Sequence, residues 1–169
     1  ARILGIRDIV LLNHEDGMLP CIDHAQLEAD ILDAINRFQP HVVVTFDEDG
    51  LYWHPDHIAV HQHTTAVIGT LGENAPALYY VTLPVGSMRS ALDRVTETIG
   101  SSDSAPSEIF GVADVDAFGS MALPPTLVIN SGHYARQKLA AIKCHASQMR
   151  HNALAHIQDE DAETLLALE

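Results

Sequence analysis

Residues 41–63 read HVVVTFDEDGLYWHPDHIAVHQH, and every other segment is placed by reference to them. The first six, His41 to Phe46, form a continuous run rich in β-branched residues. That is the pattern of a strand covered on both faces, as in a parallel sheet. Residues 47–53 follow as a polar loop. From Pro55 a helix is predicted to run to Leu71, with proline well placed in the first turn, where its missing N–H has no partner to lose.

Upstream, residues 8–12 (DIVLL) read as a short buried strand, and 13–20 as a loop with the turn signal Asp16-Gly17. Asp23 is a plausible cap for a helix whose apolar positions Leu27, Ile31, Leu32, Ile35 and Phe38 recur three and four apart, ended by Pro40. Downstream, 77–83 reads as a strand, 87–99 as a short helix and 100–106 as a Ser- and Asp-rich loop. A short strand is left open within 108–118. Residues 126–130 are either a last strand or an extended lead-in. Residues 131–149 read as a helix, with Ser131 as its cap and Leu139, Ile142 and Ala146 on one face. The tail, 150–169, is expected to be helical and loosely packed. Strands alternate with helices, so the expected class is α/β with a mainly parallel sheet, as one domain over 1–169.

A chain of 169 residues can bury a sizeable core, and 47% apolar residues supply it. The formal charge of −14 disfavours nucleic acid and acidic membrane surfaces as partners, because both are polyanions. No segment reads as a signal peptide or a membrane span. Cys21 and Cys144 show no disulfide framework and are expected as buried reduced thiols, which suits the cytoplasm. The chain opens on Ala1-Arg2 without an initiator Met and runs straight into apolar residues, so an upstream segment is expected to be missing. Homo-oligomerisation is left open.

The chemistry concentrates between residues 47 and 63, which hold His54, His57, His61 and His63 with Asp47, Glu48, Asp49 and Asp56. They lie between the carboxyl end of a predicted strand and a helix start, where ligand sites form in open α/β sheets. Imidazole is a common ligand for zinc, and Asp56 can bind metal or orient a neighbouring ring. Spacing alone would let His57 and His61 share one helix face as a clamp. Taken singly, His61 and His63 fit a non-ligand role better. His14, His24, His41, His133, His151 and His156 show no such clustering and read as structural.

VVVTFDEDGLYWHPDHIAVH resembles a signature of the PIG-L/LmbE-like zinc-dependent de-N-acetylases, in which a strand and a Gly- and Tyr-containing loop precede His-Pro-Asp-His. A second similarity is KLAAIKCHASQ at 138–148, and Asp16-Gly17 resembles a weaker feature; residues 86–125 are largely unmatched. The resemblance implies a Rossmann-like α/β fold. It implies His57 as zinc ligand and His54 as the group assisting the tetrahedral intermediate. Asp56 then corresponds to the orienting carboxylate, Tyr52 to a contact with the substrate carbonyl, and Asp16 to a partner of sugar hydroxyls. His145, Ser147 and Gln148 would support the pocket.

The family's other metal-binding signature, Ala-His-Pro-Asp-Asp-Glu, has no counterpart here; the only His-Pro-Asp is at 54–56. One zinc ion with its other ligands in the missing N-terminal segment is therefore expected. The implied activity is hydrolytic removal of acetyl from an N-acetylglucosamine-like small molecule. Two alternatives stay open: a metal-dependent hydrolase or amidase on another substrate, and an inactive binding module of the same fold. A phosphate substrate fits poorly, since 41–63 contains no Lys or Arg.

Overall fold

A computed structural model describes residues 1–99, 108–119, 124–149 and 152–167. The expected loop at 100–106 and His151 lie outside the described residues. The chain divides into two compact units, one of Leu11–Thr82 and one of Ala1–Val10 with Leu83–Glu169.

The Leu11–Thr82 unit holds the chemistry-bearing stretch. Helix α1 (His24–Phe38) starts where Asp23 accepts a hydrogen bond from the Ala25 N–H. It stops at Gln39, which takes a left-handed conformation ahead of Pro40, a position where proline disfavours continued helix. Strand β1 (Val42–Phe46) follows, then an irregular turn α2 (Gly50–Trp53), helix α3 (Pro55–Thr70) and strand β2 (Ala77–Val81). β1 and β2 pair in parallel, with Val43 opposite Leu78 and Val44 opposite Tyr79. Ile35, Val67 and Ile68 form a core with Ile31, Leu32, Val43 and Leu78 packed against it, so α1 and α3 cover one face of the sheet. Burying each such side chain stabilises by about 1.5–3 kcal/mol.

The architecture is therefore mixed α/β with a two-stranded parallel sheet. β1 is not covered on both faces as its sequence suggested: Val42 and Val44 are 49% and 65% exposed. Phe38, expected in the core, is exposed as well. Residues 8–12 form no strand, and Leu11 is 77% exposed. An apolar run needs a neighbouring backbone before its hydrogen-bonding groups can form a ladder, and among the described residues that run has none.

The other unit contains α4 (Ser87–Ile99), α5 (Ala135–Lys143) and α6 (Ala162–Leu166). The long helix expected over 131–149 is α5 flanked by short 3-10 turns at Gly132–Tyr134 and Ala146–Gln148. Ser131 caps nothing; its hydroxyl donates instead to the carbonyl of Ala167 at 3.0 Å. Residues 124–129 form no strand and have no regular secondary structure. Within 108–118 there are two isolated bridges, Glu108 with Asn152 and Ile109 with Val112, and a 3-10 turn at Val115–Ala117.

The C-terminal segment, expected to be loosely packed, buries Ala153, Leu154, Ile157, Ala162 and Leu166. Lys143 also donates to the Ile157 carbonyl at 2.8 Å. Leu139 is 1% exposed. Leu139→Ala is expected to lower stability by about 2–5 kcal/mol through lost burial and a residual cavity, measured by denaturant unfolding. Among the described residues no helix is long and apolar enough to cross a membrane.

Candidate functional site

The site grows out of the end of β1. The strand delivers Phe46, and the chain then turns sharply: Gly50 donates to the Asp47 carbonyl, and the buried Asp49 carboxylate accepts from the Leu51 N–H at 2.9 Å. Gly50, Leu51 and Trp53 all have positive φ, at 58°, 69° and 64°. Glycine adopts such a conformation at no steric cost, whereas for leucine and tryptophan it is a genuine outlier.

The turn points the Gly50 carbonyl at His57, whose Nδ1 lies 2.9 Å away. A carbonyl oxygen only accepts, so Nδ1 carries the proton and Nε2 keeps its lone pair. The His57 ring stacks flat on Phe46, with centroids 3.8 Å apart and planes 2° from parallel. Burial pushes the His57 pKa down. The Gly50 hydrogen bond and the charges of Asp56 and Asp16 oppose that shift, while His54 adds to it. His57 is thus a half-buried imidazole fixed in tautomer and plane, as second-sphere carbonyls fix metal-binding histidines.

His54 sits at the N-cap of α3. Its Nδ1 accepts from the Asp56 N–H at 3.2 Å, so the ring proton belongs on Nε2. The His54 and His57 rings are 4.6 Å apart. Tyr52 approaches both edge-on, at 5.7 Å from His54 and 5.2 Å from His57. Burial, then the Asp16 carboxylate, push the Tyr52 phenol pKa up, which keeps its proton in place as a donor at neutral pH.

Asp56 is buried and spends both oxygens on the 16–19 loop. Oδ2 accepts from the Gly17 N–H at 2.7 Å and Oδ1 from the Leu19 N–H at 3.0 Å. This anchor places Asp16, the neighbour of Gly17, where its charge reaches Tyr52 and His57. All five residues singled out from sequence, Asp16, Tyr52, His54, Asp56 and His57, therefore belong to one neighbourhood. His61 donates Nδ1–H to the Phe46 carbonyl at 2.9 Å. His63 bonds Glu28, and His14 bonds Asp30, each at 3.0 Å. His145, Ser147 and Gln148 lie exposed in the other unit. Both cysteines are free, as expected, but exposed rather than buried.

Phe46 and Gly50 were not singled out from sequence. Their signal is positional: the last strand residue and the glycine of a turn just before a histidine cluster. A Cβ built at Gly50 would lie 2.8 Å from the His57 Cβ. Gly50→Ala is expected to cost about 1–3 kcal/mol from strain in that conformation alone and to displace His57 further. The checks are denaturant unfolding and the His57 ring resonances.

The fit to a metal is partial. His57 presents a prepared Nε2, and His61, also bonded through Nδ1 to a carbonyl, has its Nε2 unspent on that bond. Yet among the described residues no three His, Cys, Asp or Glu side chains gather into a group able to hold an ion. A catalytic zinc usually takes three protein ligands plus water.

A parallel strand, a strained Asp-Gly turn and a paired-histidine helix start define an α/β protein with its site at the strand's carboxyl end. Residues 1–68 match the family model described as PIG-L: GlcNAc-PI de-N-acetylase. Curated relatives carry the name 1D-myo-inositol 2-acetamido-2-deoxy-alpha-D-glucopyranoside deacetylase. That of Mycolicibacterium vanbaalenii is 33% identical over 131 residues, covering 75% of this chain and 43% of the relative. That of Rhodococcus jostii is 32% identical over 138 residues, covering 75% and 44%. That of Mycobacteroides abscessus is 30% identical over 115 residues, covering 68% and 39%. The chain spans about two fifths of the length of these relatives.

Proposed function

We propose that this chain carries part of the active site of a zinc-dependent amidohydrolase, a deacetylase that acts on an N-acetylglucosamine conjugate. The observation that carries the proposal is the pairing of two differently prepared histidines. His57 is held with Nδ1–H on a carbonyl and Nε2 open, and His54 is held the opposite way, with its proton on Nε2. One is prepared to ligate and the other to donate. The relatives' name supplies the substrate class: an acetamido sugar joined to a second ring.

His57 would hold the zinc through Nε2, and we place the remaining ligands outside this chain. When bound, zinc would supply Lewis-acid polarisation and ionise a water near neutral pH. His54 presents its Nε2–H as a hydrogen-bond donor to the acetamide oxygen as charge develops there. The Tyr52 hydroxyl is a second donor to the oxygen. Asp56 holds the 16–19 loop, so that Asp16 can accept from sugar hydroxyls. The fold in the complete protein is proposed to be Rossmann-like. Free exposed cysteines fit a reducing cytoplasm.

The test is amine release from an N-acetylglucosaminyl conjugate by the complete protein that carries this chain, with and without zinc. Release that needs zinc supports the proposal. Binding of the conjugate without any release would make the protein a binding module of the same fold. Residues 1–169 alone are expected to lose zinc on dialysis against a mild chelator, measured by elemental analysis. Stoichiometric retention would mean that this chain holds a full ligand set, with His61 the first candidate.

A further inference from the structure

We propose that Asp49 is the positioning residue that sets the His57 tautomer, by clamping the Gly50–Leu51 peptide in the orientation that leaves His57 Nε2 open. The use of the clamp rests on the reading of His57 as a metal ligand; its geometry does not.

A single peptide unit carries the case. Its carbonyl end, Gly50, accepts the proton on His57 Nδ1 at 2.9 Å. Its N–H end, Leu51, donates to Asp49 Oδ1, also at 2.9 Å. The carbonyl and N–H of a trans peptide point opposite ways in one rigid plane, so the two bonds hold the plane from both ends. Asp49 is 5% exposed. A carboxylate so buried needs hydrogen-bond donors to offset its lost hydration, and the Leu51 N–H is one. The Asp49 carbonyl also takes the Trp53 N–H at 2.7 Å, which fixes the base from which the carboxylate reaches.

The clamped orientation is the strained one. Leu51 has φ 69° and ψ −37°, a region where leucine is an outlier. Turning the peptide over rotates the Gly50 ψ and the Leu51 φ. It would return Leu51 to negative φ, and glycine tolerates the change on its side. Such strain persists only where the surroundings over-determine it. Turned over, the peptide would offer His57 the Leu51 N–H in place of the Gly50 carbonyl. The Phe46 ring, 2° from parallel, keeps the imidazole in its plane. Nδ1 would then accept, the proton would move to Nε2, and the lone pair a metal needs would be gone. His54 already shows that state, with its Nδ1 on the Asp56 N–H. Asp49 thus keeps the two neighbouring histidines different.

The tautomer is read from the ring-nitrogen chemical shifts of His57, with the chain isotope-labelled in histidine, the ring in its neutral form and the signal assigned by its loss in His57→Gln. Wild type is expected to show the Nδ1–H form. Asp49→Ala should shift His57 toward Nε2–H. Asp49→Asn, which keeps an oxygen for the Leu51 N–H, should stay near wild type. Asp49→Ala combined with Leu51→Gly should recover Nδ1–H, since glycine takes φ 69° without strain. A side chain that merely holds the turn together would not be rescued by deleting another. In the complete protein that carries this chain, Asp49→Ala should weaken zinc binding about 10–100-fold, the usual loss when the partner that orients a metal-binding histidine is disturbed.

An unchanged Nδ1–H form in folded Asp49→Ala overturns the proposal. So does an equal shift in Asp49→Asn and Asp49→Ala, or no recovery in the double variant. A shifted tautomer with unchanged zinc affinity supports the clamp and sinks His57 as a ligand. Weakened zinc binding with an unshifted tautomer does the reverse.

Discussion

His54→Ala, in the complete protein that carries this chain, is expected to leave bound metal in place and lower turnover about 10²–10³-fold, the range for losing one oxyanion donor. His57→Ala is expected to lose the metal and, with it, activity. The two side chains lie with rings 4.6 Å apart, yet their hydrogen bonds are opposite in sense: His54 Nδ1 accepts a backbone N–H, and His57 Nδ1 donates to a backbone carbonyl. A metal ligand needs a free lone pair, which His57 has on Nε2. An oxyanion partner needs a proton, which His54 has on Nε2. Metal content after gel filtration, measured beside kcat and KM for both variants, checks the division. Equal metal loss in the two would show that both histidines ligate. Full metal retention in His57→Ala would remove it from the ligand set.

Asp56→Ala is expected to destabilise the protein by about 1–3 kcal/mol, because it removes a buried carboxylate that accepts from two backbone N–H groups at once. Gly17 and Leu19 both donate to Asp56, at 2.7 and 3.0 Å. Losing that anchor frees the loop carrying Asp16, so KM for an amino sugar conjugate should rise as well. Asp56→Asn keeps one oxygen acceptor but turns an NH₂ group toward the other N–H, so its cost should be smaller yet real. Chemical denaturation and hydrogen exchange at Gly17 and Leu19 provide the measurement. Unchanged exchange at those two amides in Asp56→Ala would show that the loop is held by something else, and would leave Asp56 with only its place in the first turn of α3.

Much of the Leu11–Thr82 unit could be read directly. Asp23 before a three-and-four periodicity gave α1, and Pro55 in a first turn gave the start of α3, because caps and prolines act through neighbours only a few residues away. The bounds of α4 came out as expected. Reading failed where the deciding partner is distant or absent. Residues 8–12 have strand composition but no ladder. Ser131 looks like a cap, yet its hydroxyl goes to Ala167, 36 residues away. The tail reads as loose, but Ala153, Leu154, Ile157, Ala162 and Leu166 are buried in the folded unit.

The site divides along the same line. Residue types and spacing alone settled that histidines and Asp56 gather at a strand-to-helix junction, since a strand's end and a helix's first turn are adjacent by covalent connection. They could not settle which imidazole nitrogen is free. That depends on Gly50 turning its carbonyl toward His57, on Phe46 lying flat beneath the ring, and on the Asp56 N–H meeting His54. Nor could they show that Asp56 serves a loop 37–39 residues away. Hydrogen bonds of that kind are fixed only when the chain folds back on itself. The tautomers, the buried carboxylate and the strained Trp53 are therefore properties of the folded unit and not of the motif.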